Sequence, residues 1–186
     1  MEYHNPVLLH ASVDGLNIKP DGVYVDVTFG GGGHSKEILS RLGPNGKLFA
    51  FDQDEDALAN TLDDERFTLI NENFRFIKRF LRFYGIKSVD GILGDLGVSS
   101  HQFDVPERGF STRFDADLDM RMSQKNDLNA YRVVNEYDNA NLTRVFLDYG
   151  ELKNAPALAR TIIEAREYES IKTTDELKEV LAKYLP

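Results

Sequence analysis

The chain has 186 residues, no cysteine and a formal net charge of −9 at pH 7. This length suits one ordinary domain or one domain with an insertion, and the lack of cysteine excludes a disulfide framework and a thiolate metal site. It also fits a reducing cytoplasm, so a cytoplasmic location is expected. The sequence begins without the basic-then-apolar pattern of a signal peptide, and no apolar run reaches the roughly 20 residues that span a bilayer, so no membrane association is expected.

Short apolar runs in the first half of the chain predict four β-strands separated by helices. The strands are expected over residues 23–29, 47–52, 66–71 and 89–95. The helices between them are expected over residues 35–42, 54–62 and 73–84. This alternation predicts an α/β fold with a parallel sheet and right-handed crossovers.

The pattern changes after Asp95. Residues 96–127 contain five Asp and no convincing regular element, and a loop of this length inside a compact domain is usually functional or disordered. Helical patterns follow over residues 141–149, 155–166 and 174–184, with Thr173 or Thr174 as the cap of the last helix.

The predicted strands supply only half of a doubly wound nucleotide-binding sheet. The strand ending at Asp95 is therefore expected at an edge, where a long apolar parallel strand invites aggregation. We expect the sequence to be a C-terminally truncated part of a longer chain.

Four consecutive glycines, Gly30–Gly33, follow the first predicted strand and precede a helix. Glycine permits a sharp turn and close approach of a ligand, and the start of a helix favours electron-rich groups. Asp52 stands 22 residues after Gly30, at the end of the second strand, where a carboxylate can bind a ribose diol. A dinucleotide fingerprint is incomplete, because Ser35 or Lys36 stands where the third small residue is needed, and the Walker pattern is absent. S-adenosyl-L-methionine carries a ribose but no phosphate, so it needs only the sharp turn, the close approach to the main chain and the acid. The alternative is that the glycines form a flexible linker that binds no ligand.

His34 could be a metal ligand, but the four histidines, at positions 4, 10, 34 and 101, show no metal-binding spacing. No metal is therefore predicted. We expect His34 to line the site or to cap the helix instead.

Asp95 follows the fourth predicted strand and should face the same crevice as the glycine turn and Asp52. Methylation of an amine depends chiefly on holding nitrogen, methyl carbon and sulfur in line. Asp95 and the carbonyl groups near Leu96 and Gly97 are candidates to orient the N–H groups of an exocyclic base amine. The alternative for Asp95 is that it only binds the cofactor or caps the loop.

Residues 75–87 contain five basic residues, four aromatic residues and no acid. This composition is typical of a nucleic-acid contact, although the acidic net charge argues against broad nucleic-acid binding. The alternative is an amphipathic helix with a solvated basic face.

Several motifs stand in order along nearly the whole chain. They are HNPVLL from His4, TFGGGGHS from Thr28, DGIL from Asp90, DLGVSS from Asp95, Gln102, RGFS from Arg108, LDMRM from Leu118 and YGE from Tyr149. Together they resemble the small-subunit ribosomal RNA cytosine-N4 methyltransferase family known as methyltransferase H or MraW.

The resemblance implies a Rossmann-like class I methyltransferase sheet over residues 1–106 and an inserted helical domain over residues 107–186. It implies methylation of the N4 amine of a cytidine in bacterial small-subunit (16S) ribosomal RNA, free or in the assembled subunit, with S-adenosyl-L-methionine as cofactor. The cofactor contacts that it implies are Gly32, Gly33, His34, Asp52, Phe74, Asp95 and Gln102. The candidate RNA contacts are Arg108, Phe110, Arg113 and Arg121. Asp95 is the candidate catalytic residue.

The chain departs from the family pattern at two places. His101 stands where the family has Pro, and Ala116-Asp117 stands where it has Gly-Pro, which changes loop stiffness. Family members are also longer, so an adenosine-ligand binding module without catalysis stays open for this chain. A nicotinamide-dependent oxidoreductase is a further alternative, which Ser35 or Lys36 in the place of the third glycine disfavours. The sequence does not indicate an oligomeric state.

Overall fold

The structure, a computed structural model, describes residues 6–184. These residues form two compact units, one ending at Gly97 and the other beginning at Val98. The division into domains at residue 106 follows from the family pattern and stays a prediction. Of the N-terminal motif, His4 and Asn5 lie outside the described residues.

A parallel four-stranded sheet forms the centre of the first unit. Its strands are β1 (Val23–Asp26), β2 (Lys47–Phe51), β3 (Phe67–Ile70) and β4 (Gly91–Leu93). They stand in the order β3-β2-β1-β4, so that β4 is an edge strand, as predicted. All four are shorter than the predicted apolar runs, whose last residues belong to the loops at the carboxyl edge of the sheet; β3 and β4 also begin one and two residues later than predicted.

Both faces of the sheet are covered, which explains the nearly continuous apolar strands. On one face Tyr24 and Leu48 pack against Ile38 of the following helix. On the other face Val25 and Phe49 belong to a second cluster with residues of the helix after β3. The α/β architecture predicted from the alternation of strands and helices is thus confirmed.

Three α-helices accompany the sheet: α1 (Leu9–Gly15), α2 (Gly33–Arg41) and α3 (Ile77–Phe83). The helix predicted over residues 54–62 is a 3-10 helix, Glu55–Asn60, and a second 3-10 helix, Phe74–Phe76, precedes α3. The prediction missed α1, because this helix buries only Val13 and so has a weak apolar period.

The second unit consists of helices. They are α4 (Ser100–Asp104), α5 (Ala130–Glu136), α6 (Asn139–Asp148), α7 (Ala155–Arg166) and α8 (Thr174–Leu181), with 3-10 helices at Pro106–Arg108 and Ala182–Tyr184. Their core includes Leu142, Leu158 and Ile162. Thr173 caps α8 in a capping box with Glu176, as predicted.

Two predictions for this unit were wrong. Residues 96–127 do contain regular structure, because Ser99 and Gln102 form a capping box that starts α4 in a polar sequence without a clear apolar period. From Ala130 to Tyr184 the chain forms four α-helices rather than three, since α5 buries only Val134 and is short. No helix within residues 6–184 is long and apolar enough to cross a membrane.

Candidate active site

The loop that follows β1 lies between the carboxyl ends of β2 and β4. The N–H of Phe29 donates to the carbonyl oxygen of Phe51 at 3.0 Å, and the N–H of Val27 donates to that of Leu93 at 2.9 Å. Three strand ends therefore meet at one edge of the sheet. This is the edge at which open parallel sheets bind their ligands.

The glycines turn the chain sharply at this edge. Gly30 and Gly32 have φ angles of 50° and 76°, in the left-handed region that favours glycine. A Cβ atom on Gly33 would lie 2.2 Å from Cγ of Pro6, whereas a Cβ atom on Gly30 would meet nothing within 4 Å. Gly33 is therefore enclosed by the protein itself, and Gly30 faces open space that a ligand can occupy.

Asp52 follows β2 and holds the glycine turn through its side chain. The N–H of Gly30 donates to Oδ2 at 2.7 Å, and the N–H of Asp54 donates to Oδ1 at 2.9 Å. Burial raises the pKa of the Asp52 carboxyl, and the bonds from the main chain oppose this effect. Since a carboxylate offers about four acceptor positions, Asp52 keeps capacity for a ligand hydroxyl.

Asp26, at the end of β1, ties the start of the turn to α2. This fully buried side chain accepts hydrogen bonds from Oγ of Ser35 at 2.7 Å and from the N–H of Thr28 at 3.0 Å. Burial raises the pKa of its carboxyl. The sequence analysis missed this residue, although an acid inside an otherwise apolar strand is a signal for a buried, hydrogen-bonded carboxyl group.

Asp95 reaches the same turn from the other side. Its main-chain N–H donates to Oγ1 of Thr28 at 2.7 Å. Its side chain is exposed and forms no hydrogen bond or ion pair within residues 6–184. The side chain of Asp52 therefore bonds to the loop at Gly30, and the main chain of Asp95 bonds to it at Thr28, two residues away. That both carboxylates face one crevice stays a prediction.

His34 stands in the first turn of α2. The cap of that helix is Gly32, so the alternative that His34 acts as a cap is wrong. The imidazole is buried, and its Nε2 atom has no hydrogen-bond partner within residues 6–184. A buried polar atom without a partner is costly, and it therefore suits a position that a polar ligand completes.

Phe74 begins the 3-10 helix at the carboxyl end of β3 and is 40% exposed. The neighbouring Asn73 donates from Nδ2 to Oε1 of Gln53 at 2.8 Å, so this segment lies beside Asp52. Gln102 belongs to the second unit, where its Oε1 accepts a hydrogen bond from the N–H of Ser99 in the capping box. The cofactor contacts of Phe74 and Gln102 stay predictions.

The candidate RNA contacts also lie in the second unit, and all three arginines have partners there. Arg108 is buried and donates to the carbonyl oxygen of Arg121 at 2.9 Å. Arg121 pairs with Asp119 at 2.6 Å, and Arg113 pairs with Asp104 at 2.8 Å. Phe110 is half-buried. Residues 6–184 contain no cluster of three His, Cys, Asp or Glu side chains that could hold a metal ion.

Curated relatives resemble the whole chain. Ribosomal RNA small subunit methyltransferase H of Flavobacterium johnsoniae is 87% identical over 186 residues, which are 100% of this chain and 62% of that protein. The proteins of the same name from Christiangramia forsetii and Bacteroides thetaiotaomicron are 68% and 56% identical, over 100% and 97% of this chain and 61% and 60% of their own lengths. The chain thus spans about three fifths of the length of these relatives.

The model of one protein family, described as the MraW methylase family, matches residues 1–186. The match includes every motif on which the resemblance depends, from the N-terminal segment to the helical unit. This chain belongs to the MraW methylase family.

Proposed function

We propose that this chain acts in the S-adenosyl-L-methionine-dependent methylation of the N4 amine of a cytidine in bacterial small-subunit (16S) ribosomal RNA. The observation that carries the proposal is that the loop after β1 bonds to the side chain of Asp52 at Gly30 and to the main chain of Asp95 at Thr28, so both residues adjoin one loop. The printed names of the curated relatives agree with a ribosomal RNA substrate. The proposal implies a cytoplasmic location, where bacterial ribosomes lie.

The residues at the turn fit an adenosyl group. Gly30 leaves open space beside the main chain, and Asp52 is placed to accept hydrogen bonds from the ribose hydroxyl groups. The buried Nε2 atom of His34 offers a polar partner, and Phe74 offers an exposed ring. We propose these residues, with Gly32, Gly33, Asp95 and Gln102, as the cofactor contacts. When bound, S-adenosyl-L-methionine supplies a methyl group on a sulfonium, which is an excellent leaving group.

Asp95 is the proposed catalytic residue. Its exposed carboxylate can accept a hydrogen bond from the exocyclic amine of the target cytidine and so turn the nitrogen lone pair toward the transferred methyl group. Such alignment is worth up to about 7–11 kcal/mol for a well-oriented pair. Once the new carbon–nitrogen bond forms, Asp95 can take up the proton that the nitrogen loses. Phe110, Arg113 and Arg121 stay proposed RNA contacts, whereas the buried Arg108 bonds to the main chain of Arg121.

The proposal is tested by transfer of a labelled methyl group from S-adenosyl-L-methionine to small ribosomal subunits that lack the modification. We expect label in N4-methylcytidine and loss of transfer in Asp95→Ala. The matched control is Asp21→Ala, which removes another exposed acid and should leave transfer unchanged. Label on another base would contradict the proposal. Transfer by Asp95→Ala equal to that of the unchanged chain would contradict the role of Asp95.

A second candidate function is binding of an adenosine ligand without methyl transfer. It is supported by the open space at Gly30 and the carboxylate of Asp52, which an adenosine ligand can occupy without any methyl transfer. Calorimetry with S-adenosyl-L-methionine, S-adenosylhomocysteine and NAD separates the candidates. Binding of the first two without any transfer supports the second function, whereas binding of NAD alone would support an oxidoreductase.

A further inference from the structure

The segment between Glu72 and Asp90 is a basic surface of the first unit. It carries the cations Arg75, Lys78, Arg79, Arg82 and Lys87, all exposed. None of these five side chains forms an ion pair or a hydrogen bond within residues 6–184, and Arg75 instead lies over the ring of its neighbour Phe76, 4.5 Å from the centroid. Some other cations of this unit are paired, such as Lys19 with Asp90 at 2.9 Å and Arg66 with Asp64 at 2.5 Å.

The apolar and the basic side chains of α3 lie on opposite faces of this helix. Ile77, Phe80 and Leu81 pack with the cluster that lines one face of the sheet. Because an α-helix turns by 3.6 residues, Lys78, Arg79, Arg82 and Phe83 then share the opposite, outer face. The helix is therefore amphipathic with a solvated basic face, which is one of the two alternatives from the sequence, and nucleic-acid contact stays a prediction.

An aromatic ring stands in this patch. Phe83 is 81% exposed and meets Tyr84 edge to face, with ring centroids 5.1 Å apart. Tyr84 in turn contacts the buried ring of Phe49 at 5.2 Å. Tyr84 thus supports the ring of Phe83 from one side, and the exposed part of this ring can stack on a planar partner.

The patch begins at the candidate active site. The 3-10 helix Phe74–Phe76 connects the carboxyl end of β3 to α3, and Asn73 bonds to Gln53 beside Asp52. From there α3 runs away from this edge. A chain molecule bound along α3 would therefore have one end near the glycine turn.

We propose that the outer face of α3 binds a single-stranded segment of RNA, with phosphates on Lys78, Arg79 and Arg82 and a base stacked on Phe83. The identity of the RNA as ribosomal rests on the proposed function. Cations without protein partners attract phosphates, and an exposed ring beside them stacks on an unpaired base. A duplex presents no open base face to Phe83, and an acidic peptide presents no base at all, so both fit this surface less well.

The test measures binding of a labelled 12-nucleotide oligouridine by fluorescence anisotropy over a series of salt concentrations, without S-adenosyl-L-methionine. In single strands each phosphate contact contributes about 0.7 to the slope of log affinity against log salt. The triple variant Lys78→Gln, Arg79→Gln, Arg82→Gln should therefore lose about 2 from that slope. Phe83→Ala should lower the affinity about tenfold and leave the slope unchanged, because stacking is not ionic.

The matched control is the double variant Lys36→Gln, Lys47→Gln, which removes two exposed cations of the same unit that have no side-chain partner within residues 6–184 and lie outside α3. Its slope should stay close to that of the unchanged chain. All substituted side chains are exposed, and thermal unfolding of each variant verifies that the fold is retained. A triple variant with an unchanged slope, or equal competition by a duplex or an acidic peptide, would overturn the proposal.

This result can be separated from that of the proposed function. If the unchanged chain methylates ribosomal RNA while the triple variant binds RNA as before, the RNA surface is wrong and the function stands. If the triple variant loses RNA binding and the unchanged chain transfers no methyl group, the surface stands and the function is wrong.

Discussion

Two loops at the carboxyl edge of the sheet are held in opposite ways. The loop after β1 is fixed on both sides, because Asp26 bonds to Ser35 and Asp52 bonds to Gly30, whose carbonyl oxygen also accepts a hydrogen bond from Asn60 at 2.9 Å. The loop after β4 is anchored at the N–H of Asp95, and both Asp95 and Leu96 are exposed. The protein thus arranges the proposed cofactor side in advance and leaves the proposed chemical side open to its substrate, which lowers the cost of ordering the binding site.

The largest effect on stability is expected at Asp26, which holds the fixed loop. Asp26→Ala removes the acceptor for Oγ of Ser35 and the N–H of Thr28, both at the fixed loop. Buried polar groups left without a partner cost about 1–3 kcal/mol each, so we expect a loss of about 2–4 kcal/mol in the free energy of unfolding. Urea unfolding followed by circular dichroism measures it.

Asp21→Ala is the control for this loss, since Asp21 is exposed and should change stability by less than about 0.5 kcal/mol. Equal unfolding midpoints for the two variants would show that Asp26 does not hold the loop.

The next effect is expected at Gly33, where the fixed loop meets Pro6. Gly33→Ala places a methyl group 2.2 Å from Cγ of Pro6, and overpacking of this kind costs about 1–3 kcal/mol. Gly15→Ala is the matched control, because no atom lies within 4 Å of its added Cβ. The control should stabilise the protein by about 0.4–1 kcal/mol through the unfolded state. The thermal midpoints of both variants measure the difference, and a neutral Gly33→Ala would mean that Pro6 yields freely.

The sheet could be predicted from the sequence because its signals are local. Each strand is an apolar run ended by glycine or polar residues, and β4 is expected at an edge because the predicted strands supply only half of a doubly wound sheet. The helices α1, α4 and α5 could not, since they are short and bury few apolar side chains. A capping box fixes α4, and its two members, Ser99 and Gln102, are visible only to a search for that spacing.

The position of the site could be predicted from the sequence, but the hydrogen bonds that hold it could not. Parallel strands place Asp52 and Asp95 at one edge, which needs only the strand assignments. The bond from Ser35 to Asp26 depends on the path of the chain through the turn. The hydrogen bond from Arg108 to the carbonyl oxygen of Arg121 likewise depends on how a loop folds back. Arg108, a candidate RNA contact in the sequence, is therefore buried in the structure.

A third prediction concerns pH and the fixed loop. Burial raises the pKa of Asp52 above its ordinary value of 3.8, so the carboxylate gains a proton at a higher pH than an exposed Asp does. The protonated group accepts hydrogen bonds less well, and the affinity for S-adenosylhomocysteine should therefore fall as the pH falls through the raised pKa. Calorimetry between pH 7 and pH 4 should show a progressive loss of affinity toward acid pH.

Asp52→Asn separates this group from its neighbours, since Asp26, Asp54 and His34 remain in the variant. Its affinity should be lower at pH 7, and the loss toward acid pH should be reduced. If the pH profiles of the variant and the unchanged chain coincide, the dependence arises from another group.

The smallest effect on stability is expected at Asp95, in the open loop. Its side chain is exposed and has no partner within residues 6–184, so Asp95→Ala should change the free energy of unfolding by less than about 0.5 kcal/mol. The main-chain bond from Asp95 to Thr28 survives the substitution, because Ala keeps the N–H. Urea unfolding of Asp95→Ala beside Asp26→Ala tests the comparison directly. A loss of stability as large as that of Asp26→Ala would mean that Asp95 also supports the fold. Unchanged stability together with lost methyl transfer would mean that Asp95 serves the reaction and Asp26 serves the structure.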